Sequence, residues 1–292
     1  MEHGKYVRFD WAAKYVLRDK ENHGILEGFL SVLLKENIQI IDILESESNQ
    51  DAPDSKFNRV DIKAKDSKGE IIIIEIQLNR EVDFLERILF GVAKAITEHI
   101  KLGDSYDKVK KVYSISILYF DIRKGDDYIY YGQNTIRGLN TGNKWELSDA
   151  ELDAIKIKNP KDIFPEYYFI MVEAFNKEAS TPLEEWLDYF KNENIKDNTT
   201  VPGLQEAKEK LQYLKMSPEQ RKSYDRRIED LVIEKDVLGT QYRLGLFDGR
   251  EEEKKRSELK IKTLAKELKS LGVSIEIIIQ TTRLTKEEIE EL

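Results

Sequence analysis

Three side chains in one short stretch, Asp61, Glu75 and Gln77, are of the types that hold a hard cation and orient water. Glu75 and Gln77 lie two residues apart in the run Ile71 to Leu78, which is apolar enough to be the buried centre of a sheet. Side chains alternate along a strand, so these two share one face while Ile74 and Ile76 take the other. Just upstream, Asp66-Ser67-Lys68-Gly69 has turn chemistry, and extended runs flank it as in a hairpin. A turn centred near Ser67-Lys68 sets Asp61 opposite residue 74, and a bulge at Gly69 moves it opposite Glu75. Two carboxylates close together on a buried face need a cation, a proton or a basic partner, because an unpaired buried charge costs several kcal/mol. A divalent metal with oxygen ligands would serve. The plainer alternative is that Asp61 ends a strand or turn and that Glu75 is salt-bridged to an arginine or lysine.

Several elements must position these groups. Helical spacing runs from Asp10 to Leu17 and from Gly24 to Lys35, where Ile25, Leu26, Phe29, Leu30, Leu33 and Leu34 form an apolar face that also carries Glu27 beside it. Strands are predicted over Ile38 to Leu44, Phe57 to Ala64, Ile71 to Leu78, Lys111 to Ile122, Tyr128 to Tyr131 and Phe164 to Val172. Between the third and fourth of these, Val82 to Ile100 carries the helical stripe Leu85, Ile88, Leu89, Val92, Ile96 and Ile100. Thr181-Pro182-Leu183-Glu184 is a capping box with proline at the first helical position, opening a helix to about Lys191. Periodicity is lost from Asn192 to Thr200, which predicts a boundary between a domain over 1–195 and a helical region over 196–292. Ser217-Pro218-Glu219-Gln220 opens a long charged helix through Leu238. Beyond Arg250, Leu259, Leu264, Leu268 and Leu271 form an amphipathic stripe, and two short helices follow around Thr281 to Leu284. That tail reads as a self-association or packing element, in preference to a helix-turn-helix, because the charges there are mostly acidic and the second helix is short.

Composition narrows the chemistry. The 292 residues contain no cysteine and three histidines, His3, His23 and His99, scattered along the chain. Thiolate nucleophiles, disulfides and cysteine-ligated zinc are excluded, and a multi-histidine site is disfavoured. A formal charge of −9 means that any nucleic-acid surface is a local patch; Lys63, Arg80 and Arg87 are candidates, with solvated surface charge as the alternative. The N-terminus lacks a signal-peptide core and no run reaches membrane-spanning length, so a cytoplasmic protein is expected.

The residues carry a family resemblance. Phe57-Asn58-Arg59-Val60-Asp61, Glu75-Ile76-Gln77 and Asp83-Phe84-Leu85-Glu86-Arg87-Ile88-Leu89 resemble the PD-(D/E)XK nuclease core in its E-x-Q form. More specifically they are similar to the recombination-promoting nucleases, often labelled transposases. Ile25-Leu26-Glu27-Gly28-Phe29-Leu30 and Phe164-Pro165-Glu166-Tyr167-Tyr168 match in order, so the resemblance spans about the first two hundred residues. It implies an α/β restriction-endonuclease-like core, a mixed central sheet flanked by helices, with a C-terminal helical extension. It also implies Asp61 and Glu75 as metal ligands, joined by the Ile76 carbonyl and by Glu27, with Gln77 completing the catalytic set around Mg2+ or another divalent ion such as Mn2+ or Ca2+. Glu27 is otherwise an ordinary solvent-facing helix residue. Arg87 would contact phosphate, or else form an exposed ion pair on its helix.

Gln77 departs from the superfamily, which usually has lysine there. Glutamine orients water but carries no charge. Either Gln77 suffices, or Lys63 supplies the charge, or the site is inactive; the first is preferred. The expected function is a metal-dependent DNA endonuclease linked to recombination or transposition. The alternatives are an inactive DNA-binding or protein-interaction module that keeps the fold, and a scaffold that self-associates through its tail.

Overall fold

A three-residue turn sets the register of the central sheet. Asp66 and Glu70 close it, Gly69 adopts φ +79°, and the Asp66 carboxylate accepts the amides of Lys68 and Glu70 at 3.0 and 2.8 Å. A glycine in the left-handed region after a tight turn is the usual bulged closure of such hairpins. The strands on either side, β2 (Ile62–Asp66) and β3 (Ile71–Gln77), pair antiparallel with Ile62 opposite Ile74, so Asp61 falls opposite Glu75.

The computed structural model of the chain describes residues 6–44, 61–100, 103–122, 125–146 and 160–292. The first residues of the predicted strand Phe57 to Ala64, Phe57 to Val60, lie outside them. In order, the described elements are α1 (Phe9–Tyr15), α2 (His23–Leu34), β1 (Ile40–Leu44), β2, β3, α3 (Phe84–Thr97), β4 (Val112–Leu118), β5 (Ile129–Gln133), α4 (Pro160–Ile163), β6 (Glu166–Met171), α5 (Pro182–Asn192), α6 (Leu204–Lys210), α7 (Pro218–Ser270), α8 (Ile275–Thr282) and α9 (Lys286–Glu290). Six strands form one mixed sheet in the order β1-β2-β3-β4-β6-β5. The β3-β4 and β4-β6 pairs are parallel and the rest antiparallel. A parallel neighbour requires a crossover, and α3 supplies the one between β3 and β4.

Helices cover both faces, as expected for the α/β class. On one face Ile71, Ile73 and Val112 pack with Val92 and Ala95 of α3, and Leu118 and Met171 pack with Phe84 and Ile88. The opposite face presents the buried side chains Ile72, Ile74, Ile115 and Ile117. There Tyr119 donates to the Phe190 carbonyl of α5 and Tyr113 to Glu36 at the end of α2. Phe9, Phe29, Trp186 and Phe190 form an aromatic cluster on that side, with centroids 4.5 to 6.4 Å apart. The predicted stripe of α3 is partly corrected: Ile88 and Val92 are buried, whereas Leu85 and Leu89 point outward.

The compact units divide at Tyr224/Asp225, later in the chain than the loss of periodicity suggested. The aperiodic segment packs back on the first unit instead of leaving it. Gly203, at φ +77°, lies so close to Gly28 of α2 that a Cβ on either would collide with the other's backbone. The Val7 amide donates to the Leu211 carbonyl, and Tyr224 packs edge-on against Trp11. In the second unit Ala265, Ile278 and Ile289 form a small core with Leu268 beside it, while Leu259 and Leu271 of the expected stripe are exposed. The two helices expected after Ser217 and Arg250 are one: α7 runs 53 residues through Gly239, Gly245 and Gly249. Its start matches the predicted cap, Ser217 and Gln220 exchanging side-chain to backbone bonds at 3.0 and 3.2 Å. Among the described residues no helix is long and apolar enough to cross a membrane.

Candidate active site

The hairpin register and the strand alternation together place Asp61, Glu75 and Gln77 on the sheet face covered by α3. Asp61 stands at the entrance to β2. Its Oδ2 accepts the Ile76 amide at 2.7 Å, and its carbonyl accepts Arg18 Nη2 at 2.9 Å. The N–H and C=O of one strand residue point to the same neighbour, so the Ile76 carbonyl is directed to the Asp61 side as well. Arg18, from the turn after α1, was not anticipated from sequence; nothing in its local pattern marks it as the residue that steadies Asp61.

Glu75 is 5% exposed and poorly satisfied. Gln77 Nε2 lies 3.5 Å from it, at the outer limit of a hydrogen bond, and Arg87 Nη2 forms an ion pair with it at 3.6 Å, the kind of partner that the plainer reading of Glu75 expects. Burial pushes its carboxyl above the usual carboxylate range, Arg87 pulls it down, and neighbouring Asp61 adds to the rise. Gln77, equally buried, has an Oε1 without a hydrogen-bond partner. Ser116 of β4 lies beside Glu75 in the parallel register and is buried on the same face. Its place follows only from strand order, which periodicity does not give.

The other expected residues are distributed differently. Arg87, on the first turn of α3, is held by both carboxylate oxygens of Glu81 at 2.9 and 2.7 Å, and its Nε is buried without a partner. It reaches over Glu75 but is clasped elsewhere. Lys63 is buried and ion-paired with Glu98, eleven residues along from Arg87 and hence about 16 Å down the helix axis. It is turned toward the far end of α3, so it does not substitute for the missing lysine at Gln77, and its charge is already offset. Glu27 is the clearest correction. Its Oε1 accepts the Ile40 amide at 2.7 Å, and Ile40 pairs with Asp66, five residues or about 16 Å along β2 from Asp61. Glu27 anchors the start of β1 and does not join the two acids. Arg80 is exposed in the segment between β3 and α3.

A mixed α/β sheet with an acid at the mouth of one hairpin strand and an E-x-Q on the next defines a nuclease-type core. The chain belongs to the family described as PD-(D/E)XK nuclease family transposase, which matches residues 7–240. Searches of curated proteins and of solved structures found no match.

That family implies a divalent cation, and the residues fit one. Among the described residues no three histidine, aspartate or glutamate side chains gather as a ready cluster. Magnesium does not require one: one or two carboxylates, with water and neutral oxygens, suffice. Asp61 and Glu75 would supply the carboxylates and the Ile76 carbonyl a neutral oxygen, with the unpaired Gln77 Oε1 beside them to hold water. An under-satisfied buried carboxylate next to an orphaned amide oxygen is what such a donor set looks like before a cation is considered.

Proposed function

We propose that the chain is a metal-dependent DNA endonuclease that hydrolyses phosphodiester bonds. The observation that carries this reading is the pairing of Asp61 with a buried Glu75 whose nearest side-chain donors stand at 3.5 and 3.6 Å, beside the unpartnered Gln77 oxygen. Asp61, Glu75 and the Ile76 carbonyl would hold Mg2+, Mn2+ or Ca2+, which when bound supplies positive charge against the phosphate and acidifies water. Gln77 has no proton to take or give at neutral pH, so its part is to orient the attacking water through its amide. Arg87, five donors in a planar fork, would meet a phosphate at the edge of this site on release from Glu81. Cuts of this kind would promote recombination or transposition in the cytoplasm.

Nicking of supercoiled plasmid with Mg2+, Mn2+ or Ca2+ tests the reading. Wild-type protein should nick, and Asp61→Ala and Glu75→Ala should not; equal nicking by all three proteins removes it. A second reading, a binding module that keeps the fold without cutting, is favoured by Arg87 lying over Glu75 and by Gln77 in place of lysine. It predicts DNA binding with no metal-dependent nicking in any protein.

We also propose that the helical extension mediates self-association. Val232, Ile233, Val237, Leu238, Leu244 and Phe247 are exposed along α7, and apolar side chains repeated on a long helix are usually covered. Light scattering on the full chain should give an oligomer that Val237→Glu with Phe247→Glu dissociates; a wild-type monomer sinks this part.

A further inference from the structure

An apolar pocket of about 320 Å³ opens on the sheet face that carries Glu75 and Gln77, lined by Phe84, Leu85, Ile122, Tyr130, Phe169 and Met171. Register fixes its place. Gln77 is beside Leu118, Leu118 beside Met171, and Phe169 opposite Tyr130, so all these side chains share one face. Met171 is two strand spacings from Gln77, or about 10 Å. The pocket and the acidic site also share a wall. Phe84 and Leu85 open α3 in the same first turn as Arg87, whose guanidinium reaches Glu75.

Three aromatic rings, Phe84, Tyr130 and Phe169, share its lining with aliphatic side chains. Phe84 and Phe169 meet edge to face at 6.0 Å, and Tyr130 brings a hydroxyl across from Gly125, where a Cβ would sit 2.4 Å from that oxygen. Leu85 at the mouth is 58% exposed, so the apolar surface continues outward toward solvent. The volume is at the small end for ligand pockets, suited to a ligand of one or two rings. A chain that brings a phosphodiester to Asp61 and Glu75 also brings the bases attached to it, and aromatic walls with a polar group at the edge are how proteins receive an unstacked base.

We infer that this pocket takes one nucleobase next to the phosphodiester held at Asp61 and Glu75, so that the protein engages DNA that is single-stranded or locally opened. The inference rests on the nuclease reading above. It makes Phe84, Phe169 and Tyr130 the surface on which the base stacks, with the Tyr130 hydroxyl available at its edge.

The test uses the full chain with Ca2+ and a single-stranded oligonucleotide bearing 2-aminopurine, against a matched oligonucleotide with abasic residues. Leu85→Glu and Tyr130→Ala are the variants, because neither removes a fully buried side chain; thermal melting checks their folding. Wild-type protein should change 2-aminopurine fluorescence on binding. Both variants should lose that change and bind about five- to hundredfold more weakly, the range for losing one base–aromatic stack. All three proteins should bind the abasic strand equally. If folded variants bind the base-containing strand like wild type, or lose as much affinity for the abasic strand, the pocket inference is overturned while plasmid nicking leaves the nuclease reading standing. If wild-type protein neither binds nor nicks DNA, both fall together.

Discussion

Two buried glutamates in the first unit, Glu75 and Glu184, differ in what surrounds them, and the difference separates a site from a scaffold. Glu184 is 4% exposed and saturated: it accepts Tyr128 Oη and Lys177 Nζ at 2.6 Å, Ser180 Oγ and amide at 2.7 and 2.8 Å, and the Thr181 amide at 3.1 Å. Lys177 and Tyr128 hold its carboxyl well below the usual carboxylate range. Glu75, equally buried, has only distant side-chain donors and moves the opposite way, because burial dominates. Hydrogen bonds to the charged form stabilise it, and desolvation without them does the reverse. Glu184 therefore belongs to the helix cap it completes, whereas Glu75 is held only by Arg87 at 3.6 Å and Gln77 at 3.5 Å.

The largest expected effect separates the two outright. Glu75→Gln and Asp61→Ala should lower plasmid nicking by more than about a hundredfold, beyond what loss of supporting contacts around a metal site costs, yet Glu75→Gln should melt at or above the wild-type temperature without added metal. Saturating Mg2+ should raise the melting temperature of wild type and not of Glu75→Gln, since a ligand at a hundred times its Kd adds about 2.7 kcal/mol. A Glu75→Gln protein that melts much lower would make Glu75 a scaffold residue like Glu184.

Glu184→Gln should behave in reverse, keeping nicking and losing about 1–3 kcal/mol of stability, the cost of hydrogen bonds to a charged group, read from urea unfolding. Next in size, Gln77→Ala should slow nicking about tenfold, the lower end of what losing a supporting group beside a metal costs, and retain the Mg2+ shift. If it abolished the shift, Gln77 would be a ligand first and an orienting group second.

The smallest effect is in pH. A lowered carboxyl such as Glu184 contributes stability that is present above its ordinary pKa and lost as pH falls below it. A raised one such as Glu75 binds more protons folded than unfolded, so its contribution is greatest at low pH and declines as pH rises past the ordinary value. Urea unfolding between pH 3 and 7 should therefore be flatter on the acid side in Glu184→Gln, and less penalised toward neutral pH in Glu75→Gln. Identical profiles would erase the contrast.

Much of this is legible in the sequence. The turn residues and Gly69 announced the hairpin, and alternation put Glu75 with Gln77. Thr181-Pro182-Glu184 announced its cap, which the structure forms in full. Illegible were the partners. Lys63 reads as a neighbour of Asp61 on one face, but packing against α3 gives it to Glu98. Glu27 is joined to the site only by the family resemblance, and the path of β1 gives it to the Ile40 amide. Leu85 and Leu89 fit a helical stripe, yet α3 contacts the sheet over too narrow a face to cover them. The aperiodic residues after Asn192 look like a linker because their packing runs through single residues such as Gly203, which no period reveals.

Local sequence therefore determined the direction of each side chain along and across its own element, since φ, ψ and alternation act within a few residues. Tertiary structure decided which group meets which: Arg18 with the Asp61 carbonyl, Arg87 between Glu81 and Glu75, Lys63 with Glu98. These pairings depend on strand order and on how far α3 reaches over the sheet, and both are fixed by contacts between elements distant in the chain, where a short period carries no information.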